Sequence, residues 1–467
     1  MSAPTKDFPH PKPPASAGRA CPERSSSAGR GRRERRQRIP GSLLRESILF
    51  RPLMWAPNRI RQTAASYPRQ FWLLFWGLLI SAAGGSIVWP FITIYMRQQL
   101  DVPLTSITLL FTLNSAAGLV TTSAAGPLID RFGRKGAMLL SLFVGGAALA
   151  AMSHAGTLGL WAVLQALSGA TNPLYRVGSN AMVADLVEPQ RRPAAYALLR
   201  TVSNLGVAIG PAIGGFVASV SYTLAFYVAA GANALFALLI LCLVADTAPF
   251  RREEQHPQLQ NRGYRPLLRD RPFLAFCGVY TLAGMAYTLM MVLLPVYAKE
   301  SFGVPENRYG FIMATNAAMV VLLQYTVTRV TERHHHLPVL AIGSLFYAAG
   351  VGSVAWGWSF STFLFSMVLL TIGEMIMIPT STALTADLAP PDMRGRYMSV
   401  YGLTWSIGFG IGPVIGGFLS DNLAPVATWY GGLVTGLAAA FGFLLLARRG
   451  QAQRRSENEE TGSQADD

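Results

Sequence analysis

Long apolar runs separated by short polar stretches make up most of the chain, and we count twelve of them. A helix that crosses a bilayer needs about 20 mostly apolar residues, whereas a membrane-barrel strand has about ten with alternating polarity. These runs are long and do not alternate, and hydrocarbon offers backbone groups no partner, so the runs predict transmembrane helices. They cover approximately residues 71–96, 104–125, 136–154, 157–183, 194–219, 222–244, 273–298, 308–330, 338–358, 361–386, 397–420 and 424–447.

An internal repeat divides the chain into two units. The stretch "ADLVEPQRRPAAYALLRTVSNLGVAIGPAIGGF" (184–216) matches "ADLAPPDMRGRYMSVYGLTWSIGFGIGPVIGGF" (386–418) at an offset of 202 residues without a gap. The longest interior polar stretch, 245–272, separates the runs six and six. Six crossings return the chain to its starting side, so the units have the same orientation. Parallel repeats of this kind are related by an axis along the membrane normal, with a cavity where they meet.

The predicted fold is therefore an all-α membrane protein, with twelve transmembrane helices in two six-helix bundles related by a pseudo-twofold axis. Residues 1–66 are rich in Pro, Ser and Arg, which favours a disordered basic tail. The predicted segments are a cytosolic tail at 1–66, bundles at 67–244 and 273–447, a cytosolic linker at 245–272 and a polar cytosolic tail at 448–467.

Composition and charge support a chain that lies in lipid. Hydrophobic residues make up 51% of the chain and charged residues only 13%, against about 25% charged in soluble domains. The net charge is +15, but in the loops on the far side from the termini we find only Arg97, Lys299 and Arg308 among the basic residues. This asymmetry follows the positive-inside rule and predicts that both termini are cytosolic, in a plasma or inner membrane. The bilayer, and not nucleic acid, is the expected partner of the basic excess.

A charged, glycine-containing stretch, "GPLIDRFGRKG" (126–136), interrupts the apolar pattern between the second and third runs. Glycine permits backbone conformations closed to other residues, and basic side chains suit the anionic inner leaflet. An acid at a helix end can bond a neighbouring helix N-terminus or an arginine, which would form a latch between helices. The residues concerned are Gly126, Asp130, Arg131, Gly133, Arg134 and Lys135.

This spacing resembles motif A of the major facilitator superfamily, G-x-x-x-D-R/K-x-G-R/K-R/K, at every position. The second-half copy, "TRVTERHHHL", keeps only Glu332 and Arg333 in register with Asp130 and Arg131. The resemblance covers about residues 70–447. It implies transport of a small molecule, with the charged loop acting as a gate on the cytosolic side.

A second stretch, "GVAIGPAIGG" (206–215), places small residues at four-residue spacing, which lets helix backbones approach closely. Its proline bends the helix and frees a carbonyl. The stretch resembles motif C of the family's antiporter branch, typical of drug:proton exporters, and recurs as "GFGIGPVIGG" (408–417). The residues of the first copy are Gly206, Gly210, Pro211, Gly214 and Gly215.

Two charges fall near the middle of predicted helices, namely Arg176 and Glu374. A charge there costs at least about 2.5–3.5 kcal/mol and usually marks a pathway or a pair. We hypothesise that Glu374 binds a proton or a cationic substrate, with Arg176 as its changing partner. A permanent structural ion pair, or an arginine that reaches the cytosolic water, is the alternative.

Three polar residues complete the candidate set. Asn114 and Asn316 are equivalent under the repeat, and interhelical hydrogen bonding is their expected role. Family antiporters often carry R-x-x-Q-G in the fourth helix. Gln165 stands at the arginine's place here, which leaves the coupling mechanism open.

No enzyme signature occurs. A primary pump needs G-x-x-x-x-G-K-S/T, and a membrane hydrolase would need H-E-x-x-H or G-x-S-x-G. The three cysteines form no disulfide framework or metal-ligand spacing. We therefore expect no metal, no cofactor and no enzymatic activity, with a proton gradient as the driving force.

The expected function is secondary transport: proton-coupled efflux of small lipophilic or drug-like molecules by alternating access, in a monomer. An importer or facilitator of a small polar metabolite such as a sugar is the alternative within transporters. A non-transporting membrane receptor is the alternative outside them, because fold does not fix function.

Overall fold

The computed structural model describes residues 67–247 and 265–463. It does not describe the side chains of residues 126, 127, 130 and 450–463. The predicted tail at 1–66 and most of the predicted linker at 245–272 lie outside the described residues.

Twelve long helices account for almost all of the described chain, as the apolar runs predict. Eleven of them are long and apolar enough to cross a membrane. The twelfth, Leu158–Leu186, has 29 residues but a lower hydropathy, because it carries polar side chains such as Asn172 and Arg176. The helices are α1 (Arg69–Leu100), α2 (Leu104–Ala125), α3 (Arg131–Met152), α4 (Leu158–Leu186), α5 (Arg192–Val220), α6 (Tyr222–Leu243), α7 (Arg271–Phe302), α8 (Glu306–Thr331), α9 (His336–Ser353), α10 (Phe360–Leu388), α11 (Arg394–Asn422) and α12 (Ala427–Ser463).

Proline and glycine explain the irregular points of the first helices. α1 tightens into a 3₁₀ turn at Trp89–Phe91, where Pro90 lacks the N–H that a continuous helix needs. α2 and α3 are two helices joined through a sharp kink at Gly133, whose φ of 76° lies in the left-handed region. The backbone at Gly126 is helical. The break therefore falls inside the predicted motif A, seven residues later than its first glycine.

The last helix extends beyond the predicted end of the second bundle at 447. α12 continues to Ser463, although its membrane-spanning part ends at Arg449. The sequence there, "QAQRRSENEE", is made largely of strong helix formers, and polarity alone does not end a helix.

The two halves repeat the same packing, which confirms the predicted pseudo-twofold arrangement. In the first half α1 packs against α5 and α6, and α3 against α6. In the second half α7 packs against α11 and α12, and α9 against α12. Between the halves, α2 packs on α11 and α8 on α5, which are equivalent pairs under the repeat.

We call the side of the bundle where α1 begins at Arg69 the termini face, and the side where α2 begins at Leu104 the opposite face. An antiparallel run of twelve helices places the ends of α4, α6 and α10 at the termini face. The ends of α1, α5, α7 and α11 lie at the opposite face.

Close approach of α2 and α4 generates a first testable prediction. A methyl group at Gly169 would lie 2.1 Å from the carbonyl oxygen of Asn114, so G169A should push the two helices apart. Overpacking of this kind costs roughly 1–3 kcal/mol, and we expect a lower melting temperature in detergent. G145A is the matched control, because a methyl group at Gly145 on α3 meets nothing within 4 Å. Equal melting temperatures for the two variants would contradict the packing described.

Candidate functional site

Glu374 is held at the middle of α10 by polar groups from two other helices. It lies fourteen residues from each end of the helix, hence about 21 Å from either face at 1.5 Å per residue. Asn316 on α8 donates from Nδ2 to Glu374 Oε2 at 2.7 Å and to Thr371 Oγ1 at 3.0 Å. The hydroxyl of Tyr287 on α7 adjoins the same carboxylate. The structure thus brings together two of the residues named from sequence, Glu374 and Asn316.

Aromatic rings surround this carboxylate within the second half. The ring of Tyr287 lies 5.4 Å from those of Tyr347 and Trp405. Tyr401 lies 5.2 Å from Tyr280 and donates its hydroxyl proton to the Tyr280 oxygen at 3.2 Å. Trp405 is 37% exposed although it lies well inside α11, so one face of the cluster is open. Sequence reasoning missed Trp405, whose place far from either helix end is the signal that separates it from tryptophans at the membrane interface.

The first half carries a related cross-link. Asn114 on α2 donates from Nδ2 to the Gln165 carbonyl at 2.9 Å and to Gln165 Oε1 at 3.2 Å on α4. Asn114 and Asn316 are 202 residues apart, so equivalent asparagines join α2 to α4 and α8 to α10. Both asparagines therefore make the interhelical hydrogen bonds expected of them.

Arg176 does not pair with Glu374 in this conformation. It is exposed, and within the described residues it makes no hydrogen bond or ion pair. It lies ten residues before α4 ends at Leu186, hence about 15 Å from the termini face, against about 21 Å for Glu374. A difference in depth of about 6 Å separates the two charges along the membrane normal, in addition to their lying in different halves.

The basic residues of motif A join helices within the first half. Arg134 Nε lies 3.0 Å from Asp185 Oδ2 at the end of α4. Lys135 Nζ donates to the Leu241 carbonyl at 2.9 Å on α6, and Arg131 lies beside the ring of Phe132. The side chain of Asp130 is outside the description. The observed links thus run from α3 to α4 and α6, and the predicted latch through Asp130 stays a prediction.

The second half has a histidine–aspartate contact at the equivalent position. His336 and Asp387 lie 202 residues after Arg134 and Asp185, and His336 Nδ1 is 3.5 Å from Asp387 Oδ2. The degenerate copy of motif A therefore keeps a third position in register, besides Glu332 and Arg333. Aligning the histidine tract at the repeat offset would have found it. Within the described residues, no group of three or more His, Cys, Asp or Glu side chains could hold a metal ion.

Motif C packs two helices of the same half and also touches the other half. A methyl group at Gly210 would lie 2.6 Å from the Ala83 carbonyl of α1, and one at Gly214 would lie 2.4 Å from that of Ile87. Gly206 likewise faces α1, and Pro211 is buried inside α5. A methyl group at Gly215 would instead lie 2.7 Å from the Glu306 carbonyl on α8.

The repeat of motif C in α11 follows the same division of contacts. Gly412 approaches Thr288 and Met285 of α7, as Gly210 approaches α1. Gly417 approaches Thr108 of α2 across the halves, as Gly215 approaches α8. The motif is therefore a packing device in each half, which explains its presence in both.

Polar contacts at the opposite face join the halves. The Asp421 carboxylate at the end of α11 accepts from the backbone N–H of Leu104 (3.1 Å) and from the N–H and hydroxyl of Thr105 (2.7 and 2.6 Å) at the start of α2. A carboxylate is favourable there because the helix dipole leaves partial positive charge at the N-terminus. Glu306 on α8 contacts both Tyr222 on α6 and Lys299 on α7.

A third contact, between Arg97 Nε and Glu300 Oε1 at 3.3 Å, joins the ends of α1 and α7 at the same face. By contrast, the Arg134–Asp185 and His336–Asp387 pairs at the termini face each stay within one half. The halves are thus fastened together at the opposite face. Sequence reasoning missed Asp421 and Glu306, because the positive-inside rule gives acidic residues no role.

A duplicated six-helix bundle of this kind, fastened at one face around midspan polar groups, defines a secondary-transporter fold. A family model for the Major Facilitator Superfamily matches residues 74–305 and 276–465. The chain therefore belongs to the Major Facilitator Superfamily, and it is a membrane transporter and not an enzyme.

Relatives with full-length matches support the assignment. The chain is 26% identical over 358 residues to the uncharacterized MFS-type transporter YhjO of Bacillus subtilis, covering 77% of this chain and 88% of that protein. It is 24% identical to a Na⁺, Li⁺, K⁺/H⁺ antiporter of Planococcus maritimus (74% and 86% covered). It is 26% identical to the multidrug resistance protein MdtH of Shigella boydii (81% and 93% covered).

Solved structures share the fold. The nucleoside transporter NupG superposes with a TM-score of 0.69 at 14% identity, covering 81% of this chain and 99% of that one. A POT family transporter in complex with a thioalcohol-conjugated peptide superposes with a TM-score of 0.67 at 17% identity, covering 84% and 99%.

The Asp421 contact generates a second prediction. D421N removes the negative charge at the N-terminus of α2. The interaction of such a charge with the helix dipole stabilises by roughly 0.3–1 kcal/mol, so the opposite face should open more often in the variant. We expect a cysteine placed at the buried Thr108, in a background without the native cysteines, to react about two- to fivefold faster with an impermeant maleimide.

D101N is the matched control, because Asp101 is an exposed acid at the same face that caps no other helix. A labelling rate in D421N equal to that in D101N would show that the carboxylate does not hold the halves together.

Proposed function

We propose that this transporter exports small lipophilic or drug-like molecules in exchange for protons, by alternating access. The observation that carries the proposal is the Glu374 carboxylate at the middle of α10, hydrogen-bonded to Asn316 and beside aromatic rings with an open side. A carboxyl group at membrane depth is costly as a charge, so it favours binding either a proton or a cation.

Proton and substrate would compete for this one group. The carboxylate accepts the Asn316 N–H, which stabilises the charged form, while the surrounding rings exclude water and favour the neutral form. A cationic substrate could replace the proton, with its charge on Glu374 and its apolar part on Tyr287 and Trp405. Exchange of the two across the membrane is then antiport.

Two relatives support this function. The multidrug resistance protein MdtH and the cation/H⁺ antiporter both match over most of their length. Multidrug resistance and cation/proton antiport thus occur among the names of relatives of similar distance. The duplicated motif C is compatible with the antiporter branch, but its packing role is shared by both halves.

Orientation follows from charge. We propose that the termini face is cytosolic in a plasma or inner membrane, because the basic residues concentrate there. The fastened opposite face then lies outside, and we propose that in this state the cleft between the halves opens to the cytosol. That is the state in which an exporter loads its substrate, and we propose that a monomer carries out the whole cycle.

Import or facilitated passage of a small polar metabolite, such as a sugar, is the second candidate. The observation that favours it is Gln165, which stands at the place of the antiporter arginine and hydrogen-bonds Asn114. An uncharged amide pair suits a hydroxylated solute and offers no charge for coupling to protons.

The carboxyl group of Glu374 generates a third prediction. E374Q keeps the size of the side chain and an oxygen that can accept the hydrogen bond from Asn316, but it cannot exchange a proton. Gradient-driven flux should therefore fall to the level of protein-free liposomes. The measurement is reconstitution with an imposed pH gradient and a panel of aromatic cations and sugars.

D392N is the control, because Asp392 is an exposed acid in the turn before α11. Gradient-dependent flux of E374Q equal to that of D392N would rule out the coupling role. Flux of sugars without a pH effect in the unmodified protein would favour the second candidate.

A further inference from the structure

We infer that Arg176 and Arg200 together form an oxyanion site that binds the carboxylate, phosphate or sulfonate group of a transported solute. The inference rests on the proposed transport function and specifies its substrate class as solutes that carry an anionic group. Arg200 was not among the residues selected from sequence, since it was counted with the basic residues at the helix ends.

The exposed positions of α4 show where Arg176 faces. In the half of the helix near the opposite face, the exposed side chains are apolar, as at Val163 and Leu167. In the half near the termini face, the exposed side chains are Asn172, Arg176 and Asn180, at four-residue spacing and therefore on one face of the helix. An exposed stripe of three polar side chains at this depth fits an aqueous cleft, whereas an apolar stripe fits lipid.

Arg200 lies on a matching stripe of α5. It shares an exposed face with Ala197 and Asn204, at spacings of three and four residues. Arg200 is eight residues past the start of α5 at Arg192, hence about 12 Å from the termini face. Its depth is therefore close to the 15 Å of Arg176, and both lie too deep to count as loop residues.

The register of the two helices places the arginines at the same level. The Tyr196 hydroxyl donates to the Asn180 carbonyl at 2.9 Å, which fixes one contact between the antiparallel helices α4 and α5. Arg176 is four residues before Asn180, and Arg200 is four residues after Tyr196. Both steps run away from the termini face by about 6 Å, so the two guanidinium groups reach the same level of the cleft.

Among the described residues, no protein group neutralises this pair. Neither arginine makes a hydrogen bond or ion pair in the part of the chain that the structure describes. The acid at the end of α4, Asp185, already pairs with Arg134 and accepts from Thr247. Two guanidiniums at one level repel each other, and an oxyanion between them would remove the repulsion and bind each in a bidentate manner.

The pair and Glu374 have opposite charges and lie in opposite halves. Glu374 is about 6 Å deeper than Arg176, as given above. A solute that carries both an anionic and a cationic group could therefore bridge the halves, with the anion on the arginines and the cation on Glu374. We infer zwitterionic amphiphiles as the preferred substrates, since each charge then has a partner.

Two fluorescent probes differ only by a carboxylate group. Nα-dansyl-lysine carries an ammonium and a carboxylate, and dansylcadaverine is the same molecule without the carboxylate. We expect the protein in phosphatidylcholine nanodiscs, titrated without any gradient, to bind dansyl-lysine about tenfold more tightly. R176Q and R200Q should each abolish this preference and leave dansylcadaverine binding equal or stronger.

Three further variants complete the test. R449Q removes an exposed arginine at the end of the α12 span and should change neither affinity. R176K and R200K retain charge without the bidentate fork and should retain part of the preference. Equal affinity for both probes in the unmodified protein would overturn the inference, as would a preference that survives in both glutamine variants.

A lipid headgroup is the other source of an oxyanion. If phosphatidylglycerol copurifies in an arginine-dependent manner and dansyl-lysine shows no preference in phosphatidylcholine, the site binds lipid and the substrate inference is overturned. The binding titration uses no gradient. Loss of proton coupling in the flux assay would therefore contradict the proposed export without contradicting the oxyanion site.

Discussion

Close contact between helix backbones is the constraint on which this structure depends. In hydrocarbon there is no hydrophobic gain when one apolar helix meets another, so packing and hydrogen bonds must hold the bundle together. Motif C supplies that contact twice. Gly210 and Gly214 bring α5 within reach of the α1 backbone, and Gly412 does the same for α11 and α7. A side chain of any size at these positions would separate the helices.

The same glycine-rich faces also limit how the halves can move. The last glycine of each copy, Gly215 and Gly417, lies against the first turns of α8 and α2 in the other half. Aromatic rings also pack between the same helix pairs, as Phe216 does on Phe311. Polar contacts add a further restraint, in Asp421 on the α2 N-terminus and Glu306 beside Lys299. Polar contacts at an aqueous end can be exchanged for water, so a seam of this kind can open at small cost.

Sequence alone predicts the fold well, because its two strongest signals are long-range in the chain. The apolar runs locate the helices, and the exact 202-residue repeat locates the symmetry, Asn114 with Asn316 included. The hydropathy pattern is weakest at α4. A helix that lines a cleft carries polar residues, and these lower its mean hydropathy. The partners of each charge were not predictable. Glu374 finds Asn316 and Tyr287 rather than Arg176, and those pairings depend on helix rotation and depth that a sequence pattern does not specify.

Charge placement gives the two halves different roles within one symmetric frame. The second half holds an acid with hydrogen-bond donors and aromatic rings, and the first half holds arginines without protein partners among the described residues. At the position equivalent to Arg134 the second half has His336, so an arginine–aspartate pair in one half corresponds to a histidine–aspartate contact in the other. The repeat thus gives both halves the same helix packing. The residues that differ between the halves provide the charged and hydrogen-bonding groups. If a solute binds both halves at once, as we infer, it draws them together at the termini face, which is the movement that alternating access requires of a loaded carrier.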